Sequence, residues 1–148
     1  MTDNRPRAIS LRSPLPQAII YGVPVAGSSL DRIWCDIINR TWATGHRGLL
    51  YIHVAQRVDS DPVPAWAKPA VPPWATRGMI IGHVRLLECT LLKTESHWAQ
   101  KGTWHWVVCA ARSLEYPVPC PGKSKLWVVP DDVAASLPPS GGWVRPHP

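Results

Sequence analysis

A cationic and aromatic cluster formed by Arg40, Trp42 and Arg47 lies immediately before and at the start of the apolar run 48–55. Each guanidinium presents a planar fork of donors that matches phosphate or carboxylate oxygens, and the indole offers a flat face on which a nucleobase can stack. This pattern predicts a cleft for an anionic, aromatic ligand at the mouth of a barrel. A turn whose arginines form only surface ion pairs explains the same local pattern equally well.

Three further features are candidates for ligand contact. Trp98 and Trp42 could sandwich a base, since stacking contributes about 1–3 kcal/mol per base, although at least one of the two is expected in the core. Lys123 and Lys125 form a basic turn suited to phosphate contact, but lysines in a turn are commonly only solvated. His105 lies in a predicted strand, where a buried, hydrogen-bonded histidine and a general base are the two alternatives.

The bulk composition favours an anionic partner. The 148 residues carry a formal net charge of +6, with 16 Lys and Arg against 10 Asp and Glu. Nine Trp and no Phe are unusual, because indoles fill cores but also stack on bases. Nucleic acid, whether RNA or another single strand, is one such partner, but charge alone does not name it.

The four cysteines, Cys35, Cys89, Cys109 and Cys120, show no C-x-x-C pair and no histidine at zinc-finger spacing. They are predicted to be reduced core thiols, and neither a metal nor another cofactor is expected. No charged segment precedes a long apolar stretch near residue 1, and no run approaches the roughly 18 apolar residues that a membrane span requires. A cytoplasmic protein without membrane contact is therefore expected.

The chain length suits one domain, which we place at residues 8–137. Residues 1–7 and the Pro- and Gly-rich residues 138–148 are expected to be flexible. Residues 59–73 hold five prolines and predict an irregular excursion over the barrel. This excursion is a candidate surface for a protein partner.

The apolar and alternating segments predict a strand-dominated α+β fold, a small β-barrel with short flanking helices. Strands are predicted at 8–12, 32–42, 48–55, 78–89, 103–114 and 126–129. A short helix is predicted to begin at Pro14 or Pro16 and to end at Tyr21 before Gly22. A helical turn capped by Thr94 or Ser96 is predicted at 94–100, and a helix capped by Asp131 or Asp132 is predicted up to about residue 136. Residues 23–30 are predicted to form a loop. Gly82 is expected where its strand bends or where another part of the chain approaches closely.

Six short segments occur in the order of a known family's motifs. They are Ser10-Leu11-Arg12-Ser13-Pro14, Asn39-Arg40-Thr41-Trp42, Arg47-Gly48-Leu49-Leu50-Tyr51-Ile52-His53, Gly78-Met79-Ile80-Ile81-Gly82, Trp104-His105-Trp106 and Gly122-Lys123-Ser124-Lys125-Leu126-Trp127. Together they resemble the ASCH domain, the activating-signal-cointegrator homology domain of the PUA-like superfamily. The resemblance spans most of the chain.

This resemblance implies a PUA-like β-barrel with flanking helices and a cleft that accepts RNA or a nucleobase. It also implies that four of the candidate polar residues converge near the strand ends, where their donors face phosphate or a base edge. A network that fixes the first helix to the barrel is the structural alternative for these four, Arg12, Asn39, Arg40 and Arg47. The complete predicted ligand-binding set is Arg12, Asn39, Arg40, Trp42, Arg47, Trp98, His105, Lys123 and Lys125.

The chain departs from the resembled family at the residues that support catalysis. Some members act as acetylcytidine amidohydrolases that use a Lys and a Glu, and some are described as nucleases, but Cys35 and Ile38 occupy those two positions here. Isoleucine cannot transfer a proton. We therefore predict a non-catalytic binding module and assign no catalytic residue. A nucleoside- or RNA-directed hydrolase that uses Cys35, His105 or Glu88 is one alternative, and a protein-interaction adaptor that uses residues 59–73 is another.

Overall fold

The computed structural model describes residues 5–25, 31–57, 63–64, 67 and 76–137. The predicted flexible tail at 138–148 lies outside the described residues, as do residues 1–4 of the predicted flexible amino-terminal segment. All of the predicted excursion at 59–73 except residues 63, 64 and 67 also lies outside them. The protein-partner surface on that excursion therefore stays a prediction.

Strands dominate the regular structure of the described residues, so the predicted strand-dominated α+β class is confirmed. The elements are β1 (Arg7–Leu11), α1 (Leu15–Ile20), β2 (Val23–Pro24), β3 (Arg32–Ile33), β4 (Ile37–Arg40), β5 (Gly48–Val54), β6 (Met79–Thr90), β7 (Trp104–Pro119), β8 (Leu126–Val128) and α2 (Asp131–Ala134). Neither helix of this part of the chain is long and apolar enough to cross a membrane.

Six of the strands form one curled sheet, a half-barrel, in the order β4-β7-β6-β5-β1-β8. Neighbouring strands are antiparallel except for β1 and β5, which run parallel with Ser10 opposite His53. β2 and β3 pair in a separate two-stranded sheet. The parallel pairing sets the carboxyl ends of β1 and β5 at one edge of the half-barrel. Because β8 runs antiparallel to β1, it begins at that same edge.

The helix α1 is buried along its whole length and packs in the main core. Its Ile19 shares this core with Leu50 and Ile52 from β5 and with Trp106 from β7. Proline is tolerated in the first turn of α1 because the first N–H groups of a helix have no partner within it. The packing of its apolar residues therefore stabilises α1. The helix ends contribute little, since neither end carries a side-chain cap or a compensating charge.

A smaller core on the opposite side of β5 involves the second helix. Tyr51 and Trp127 are buried there, and Val133 of α2 packs against them. Since side chains alternate along a strand, Leu50 and Ile52 can face the main core while Tyr51 faces the smaller one. Both faces of β5 are thus covered, as its unbroken apolar run predicts.

The predicted close approach at Gly82 is confirmed. A Cβ atom built at this position would collide with the carbonyl oxygen of Arg112 on β7 and would lie 2.9 Å from a methyl carbon of Ile20. The register between β6 and β7 also shifts between Ile80 and Gly82. Any larger residue at Gly82 would therefore push β7 or α1 away from β6.

Two predictions of chain path are wrong. Within the predicted loop 23–30, Val23–Pro24 forms β2, and the predicted single strand at 32–42 is divided into β3 and β4. The N–H of Val25 donates to the carbonyl of Asp31 at 3.1 Å, and this bond continues the pairing of β2 with β3. Such pairing depends on residues apart in sequence, which local composition does not encode.

One prediction about a helix cap is also wrong. The predicted helical turn at 94–100 consists of successive turns that do not extend into a helix. The hydroxyl of Ser96 accepts from the N–H of Trp98 at 3.2 Å and donates to Asp36 at 2.8 Å, and such local side-chain bonds compete with helix formation. In α2 the N-cap is Pro130, with no side-chain cap hydrogen bond from Asp131 or Asp132.

All four cysteines are free thiols, but they are not all in the core. Cys35 and Cys120 are buried, Cys89 is half-buried and Cys109 is exposed. Cys109 follows the buried Val108 on β7, and alternation along the strand turns its side chain outward. The predicted core location is therefore wrong for Cys109.

Candidate functional site

A cleft lies at the edge of the half-barrel where β1 and β5 end and β8 begins. Its volume is about 530 Å³, within the range of roughly 300–1,000 Å³ that is typical of small-molecule sites. Both outer strands of the sheet contribute, because Arg40 ends β4 and Lys125 directly precedes β8. The lining residues are Ile9, Ser10, Arg12, Arg40, Trp42, His53, Ala55, Gln56, Arg57, Gly122, Lys123, Ser124 and Lys125.

The lining of this cleft is strongly cationic. Five of its residues carry fixed or nearly fixed positive charge, and within the described part of the chain none of the lining residues is acidic. Lys123 and Lys125 are exposed, while the arginines also interact with other groups of the protein. Charges of one sign on the walls of a cleft concentrate its field and attract anions. The five residues are Arg12, Arg40, Arg57, Lys123 and Lys125.

Trp42 supplies the aromatic part of the lining. Its ring packs edge-to-face against Trp106, with 4.7 Å between ring centroids and 89° between ring planes. The indole N–H of Trp106 donates to the carbonyl oxygen of Trp42 at 3.2 Å. Trp106 is fully buried and Trp42 is half-buried, so a core ring orients a partly exposed one. An aromatic side chain held in this way loses little conformational freedom when a ligand stacks on it.

A serine and a histidine on the cleft side of β1 and β5 form a directed chain of hydrogen bonds. The ring Nε2–H of His53 donates to the carbonyl oxygen of Cys120 at 2.6 Å. Since that carbonyl can only accept, Nδ1 of His53 carries a lone pair, and the hydroxyl of Ser10 donates to it at 3.0 Å. The indole N–H of Trp127 in turn donates to the Ser10 oxygen at 3.1 Å. The donor and the acceptor of each of these three hydrogen bonds are thereby assigned.

Burial keeps this histidine neutral. His53 is almost wholly inaccessible to solvent, and desolvation lowers its pKa below the usual 6.5, while hydrogen bonds to backbone at Cys120 and Gly78 oppose part of the change. At pH 7 the ring therefore lacks the second proton, and Nδ1 remains available to accept one.

Gly122 lies directly against the hydroxyl of Ser10 and the ring of His53. A Cβ atom at this position would lie 2.7 Å from Oγ of Ser10 and 2.6 Å from Cε1 of His53. Real Cβ atoms do not approach other atoms so closely, and both neighbours belong to the chain of hydrogen bonds. A residue with a side chain could therefore occupy this position only by displacing the Ser10–His53 pair.

A second, smaller cavity of about 190 Å³ shares Arg12 and Arg40 with the cleft. Asn39 contributes to its lining, together with Leu15, Thr41, Gln100 and Thr103. The amide of Asn39 donates to the carbonyl of Trp98 at 2.8 Å and accepts from the N–H of Gln100 at 2.9 Å. Asn39 thus binds the segment between β6 and β7, and its amide is committed to that contact.

Trp98 and His105 lie outside the cleft. Trp98 is buried in the main core. His105 is fully buried, where its Nδ1 accepts from the N–H of Lys93 at 3.1 Å and its Nε2–H donates to the carbonyl of Gln100 at 2.8 Å. The expected buried and hydrogen-bonded histidine is therefore what the structure contains at this position. Both ring nitrogens hold backbone groups, which leaves neither for a ligand.

Arg47 also lies outside both cavities. Its side chain is exposed, and its Nη1 donates to the carbonyl oxygens of Thr44 at 2.9 Å and His46 at 2.7 Å. These bonds fold Arg47 back on the turn that leads into β5. Of the nine predicted residues, the cleft unites Arg12, Arg40, Trp42, Lys123 and Lys125 and excludes Asn39, Arg47, Trp98 and His105.

The residues considered for a hydrolase do not meet at the cleft. Burial, followed by the nearby charge of Asp36, raises the pKa of Cys35 to about 12, although the hydrogen bond to Ile37 opposes the increase. Such a thiol is not a nucleophile at neutral pH. Glu88 is paired with Lys93 at 3.6 Å on the surface. Within the described ranges, no group of three or more His, Cys, Asp and Glu is placed to hold a metal ion.

Sequence reasoning missed Ser10, His53, Gln56, Arg57, Gly122 and Ser124 as lining residues. Ser10, His53 and Gly122 each lie within one of the six quoted motif segments, which was the available signal. Their meeting depends on the register that sets Ser10 opposite His53 in the parallel pair of strands. The apolar alternation within each strand determines which face a side chain takes, but it does not identify the residue of the distant partner strand that lies opposite Ser10.

The chain matches no protein-family model and no curated protein sequence. The resemblance to the ASCH domain therefore stays a prediction that rests on the order of the six segments.

Proposed function

We propose that this protein is a PUA-like binding module whose cleft holds single-stranded RNA or a modified nucleobase. One observation supports the proposal above the others: five cationic side chains and a partly exposed indole line the same cavity of about 530 Å³. Cations bind the phosphate backbone, and an aromatic face stacks on a base whatever its identity. The order of the ASCH-like segments agrees with RNA as the ligand.

The expected division of labour follows from the positions of the lining residues. Arg12 and Arg40 border both cavities, so a phosphate bound between them would lie at the junction of the two. A base on one side of that phosphate would reach Trp42. The exposed Lys123 and Lys125 would contact the next part of the backbone. Binding of this kind depends on salt, because each neutralised phosphate releases condensed counterions.

The test is a titration of fluorescently labelled oligouridine with two variants that remove the same charge from different places. Arg40→Gln removes a lining guanidinium, whereas Arg47→Gln removes an exposed one outside the cleft. Loss of a charge-assisted contact is expected to weaken binding about 10- to 100-fold for Arg40→Gln. For Arg47→Gln the expected change is less than about threefold, because an exposed charge is strongly screened.

The salt dependence supplies the second readout. If three phosphates are neutralised, affinity should fall roughly 20-fold between about 50 mM and 200 mM salt, and the dependence should be shallower for Arg40→Gln. Equal losses in the two arginine variants would show that only net charge matters and would contradict the proposal. Absence of binding at low salt would contradict it as well.

A further inference from the structure

The hydroxyl of Ser10 has the surroundings of an activated nucleophile. It donates to Nδ1 of His53 at 3.0 Å, and the far side of that ring is oriented by a 2.6 Å bond to a backbone carbonyl. A serine activated by a histidine that a third group orients is the recurring arrangement of covalent acyl transfer. The indole N–H of Trp127 occupies one lone pair of the Ser10 oxygen. The second lone pair is available for attack.

Ser10 is also reachable from the cleft, which distinguishes it from a serine that merely completes a core network. It is half-buried and contributes to the lining. The residue that lies against its oxygen is Gly122, the one residue type that adds no covering side chain. His53, by contrast, is shielded from bulk water, and its Nδ1 accepts from the Ser10 hydroxyl at 3.0 Å.

We propose that Ser10 and His53 form a nucleophile and general-base pair that hydrolyses carboxylic esters of phosphate-bearing alcohols in this cleft. Hydrolysis by this pair does not depend on RNA binding. The phosphate group of the substrate does rest on the proposed function, because that function places an anionic ligand against the same cationic lining residues.

The reaction balances with water as the only co-reactant. The Ser10 oxygen bonds to the ester carbonyl carbon, and its proton moves to Nδ1 of His53. The bond from carbonyl carbon to alcohol oxygen then breaks, and the departing alcohol takes that proton. Water then attacks the acyl carbon while Nδ1 of His53 accepts one water proton, the bond from that carbon to the Ser10 oxygen breaks, and the proton on Nδ1 returns to restore the Ser10 hydroxyl. The net change converts ester and water into carboxylic acid and alcohol.

Esters are expected to be hydrolysed faster than amides, because a backbone carbonyl and not a carboxylate orients His53. A backbone carbonyl orients the ring but carries no full charge, so it stabilises the imidazolium less than a carboxylate would. In a serine triad the carboxylate both fixes the tautomer of the histidine and stabilises the imidazolium, whereas the carbonyl of Cys120 fixes the tautomer without supplying a full charge. Alcohols leave a tetrahedral intermediate more readily than amines do, so the weaker pair is matched to the easier reaction.

Labelling with an alkyl fluorophosphonate tests the nucleophile directly, because the probe bonds covalently to an activated serine and releases fluoride. Mass spectrometry of the full chain is expected to show one adduct, located on Ser10. The matched variants are Ser10→Ala and Ser136→Ala, of which Ser136 is an exposed serine that does not line the cleft. Ser10→Ala removes the nucleophilic oxygen and should abolish the adduct, whereas Ser136→Ala should leave the labelling rate unchanged.

The labelling rate should also follow the protonation of His53. It should be constant above pH 7 and fall at lower pH with a midpoint below the usual histidine value of 6.5. A serine labelled only because it is accessible would not give this profile. Labelling of Ser124, labelling that survives Ser10→Ala, or a rate independent of pH over this range would overturn the assignment.

A pair of esters tests the substrate class. Release of acetate from 1-acetylglycerol 3-phosphate is compared with release from 1-acetylglycerol, and the phosphate ester should show at least about tenfold higher kcat/KM, the value of one charge-assisted contact. Ser10→Ala should abolish both reactions, whereas Arg40→Gln should remove only the preference. Equal turnover of the two esters would overturn the phosphate preference, whereas loss of RNA binding with intact Ser10 labelling would refute only the proposed function.

Discussion

Two buried histidines of the half-barrel, His53 on β5 and His105 on β7, each carry the ring proton on Nε2. Their Nδ1 atoms accept hydrogen bonds from different kinds of donor. His105 bonds the N–H of Lys93 with one ring nitrogen and the carbonyl of Gln100 with the other. His53 also bonds a backbone carbonyl with one nitrogen, but its other nitrogen accepts from the hydroxyl of Ser10. One ring connects two backbone segments, and the other connects the backbone to a side chain in a cleft.

The difference shows that burial alone does not separate a structural histidine from a reactive one. Both rings are almost inaccessible to solvent. The two rings differ in whether the group that donates to Nδ1 can itself contact a ligand. The N–H of Lys93 cannot react, whereas the Ser10 hydroxyl borders an open cavity of about 530 Å³.

The largest expected effect is the loss in free energy of unfolding when His105 is substituted. His105→Leu leaves the N–H of Lys93 and the carbonyl of Gln100 without their partner in a part-buried region, which should lower the free energy of unfolding by about 3 kcal/mol. Lys101→Leu is the control at an exposed position of the same segment and should change the free energy of unfolding by less than about 0.5 kcal/mol. Urea denaturation followed by Trp fluorescence measures both.

A stability loss for His105→Leu no larger than for Lys101→Leu would show that the His105 bonds contribute little. RNA affinity of the folded His105→Leu variant should match that of the unchanged protein, because the ring does not line the cleft. Weaker binding by the folded variant would contradict the structural role assigned to His105.

An intermediate effect is expected at the His53 end from Gly122→Ala. The added methyl would lie 2.7 Å from Oγ of Ser10, so the loop or the pair must move, at a cost of about 1–3 kcal/mol. The same movement should strongly slow labelling of Ser10. Gly45→Ala is a suitable control, since a Cβ there meets nothing within 4 Å. Retention of full stability and labelling in Gly122→Ala would show that Ser10 is not closely covered by this loop.

The strands with long apolar runs could be predicted from the sequence alone. The runs at 48–55 and 78–89 coincide closely with β5 and β6 because β5 and the first half of β6 are buried on both faces, which requires mostly apolar sequence. The sequence was also sufficient for Arg40, Trp42 and the two lysines, whose side chains have recognisable ligand chemistry. It was insufficient for Ser10 and His53, because a parallel pair of strands far apart in sequence brings them together.

The smallest effect is the response of stability to acid. Desolvation, followed by the charges of Arg112 and Arg85, lowers the pKa of His83 to about 4, and burial lowers that of His53. The unfolded chain binds these protons near pH 6.5 and the folded one only at lower pH. Stability should therefore be constant above pH 6.5, fall as the pH decreases, and lose the His83 contribution fully by about pH 4.

Thermal unfolding at several pH values measures this decrease, which is on the order of 1–2 kcal/mol once residual solvent access to the rings is allowed for. His83→Gln should reduce the decrease without abolishing it, because His53 still contributes. A stability that rises between pH 6.5 and 4 would be opposite to the sign derived from both lowered pKa values.

The most direct test of the ligand's position is photo-cross-linking of an oligonucleotide that contains 4-thiouridine, followed by tryptic digestion and mass spectrometry. Cleavage after Arg40 and Arg47 releases residues 41–47 with Trp42, and cleavage after Lys93 and Lys101 releases 94–101 with Trp98. Cross-links on the Trp42 peptide and within 122–127 are the predicted result. Cross-links confined to the Trp98 peptide would place the ligand at the His105 end and contradict the account.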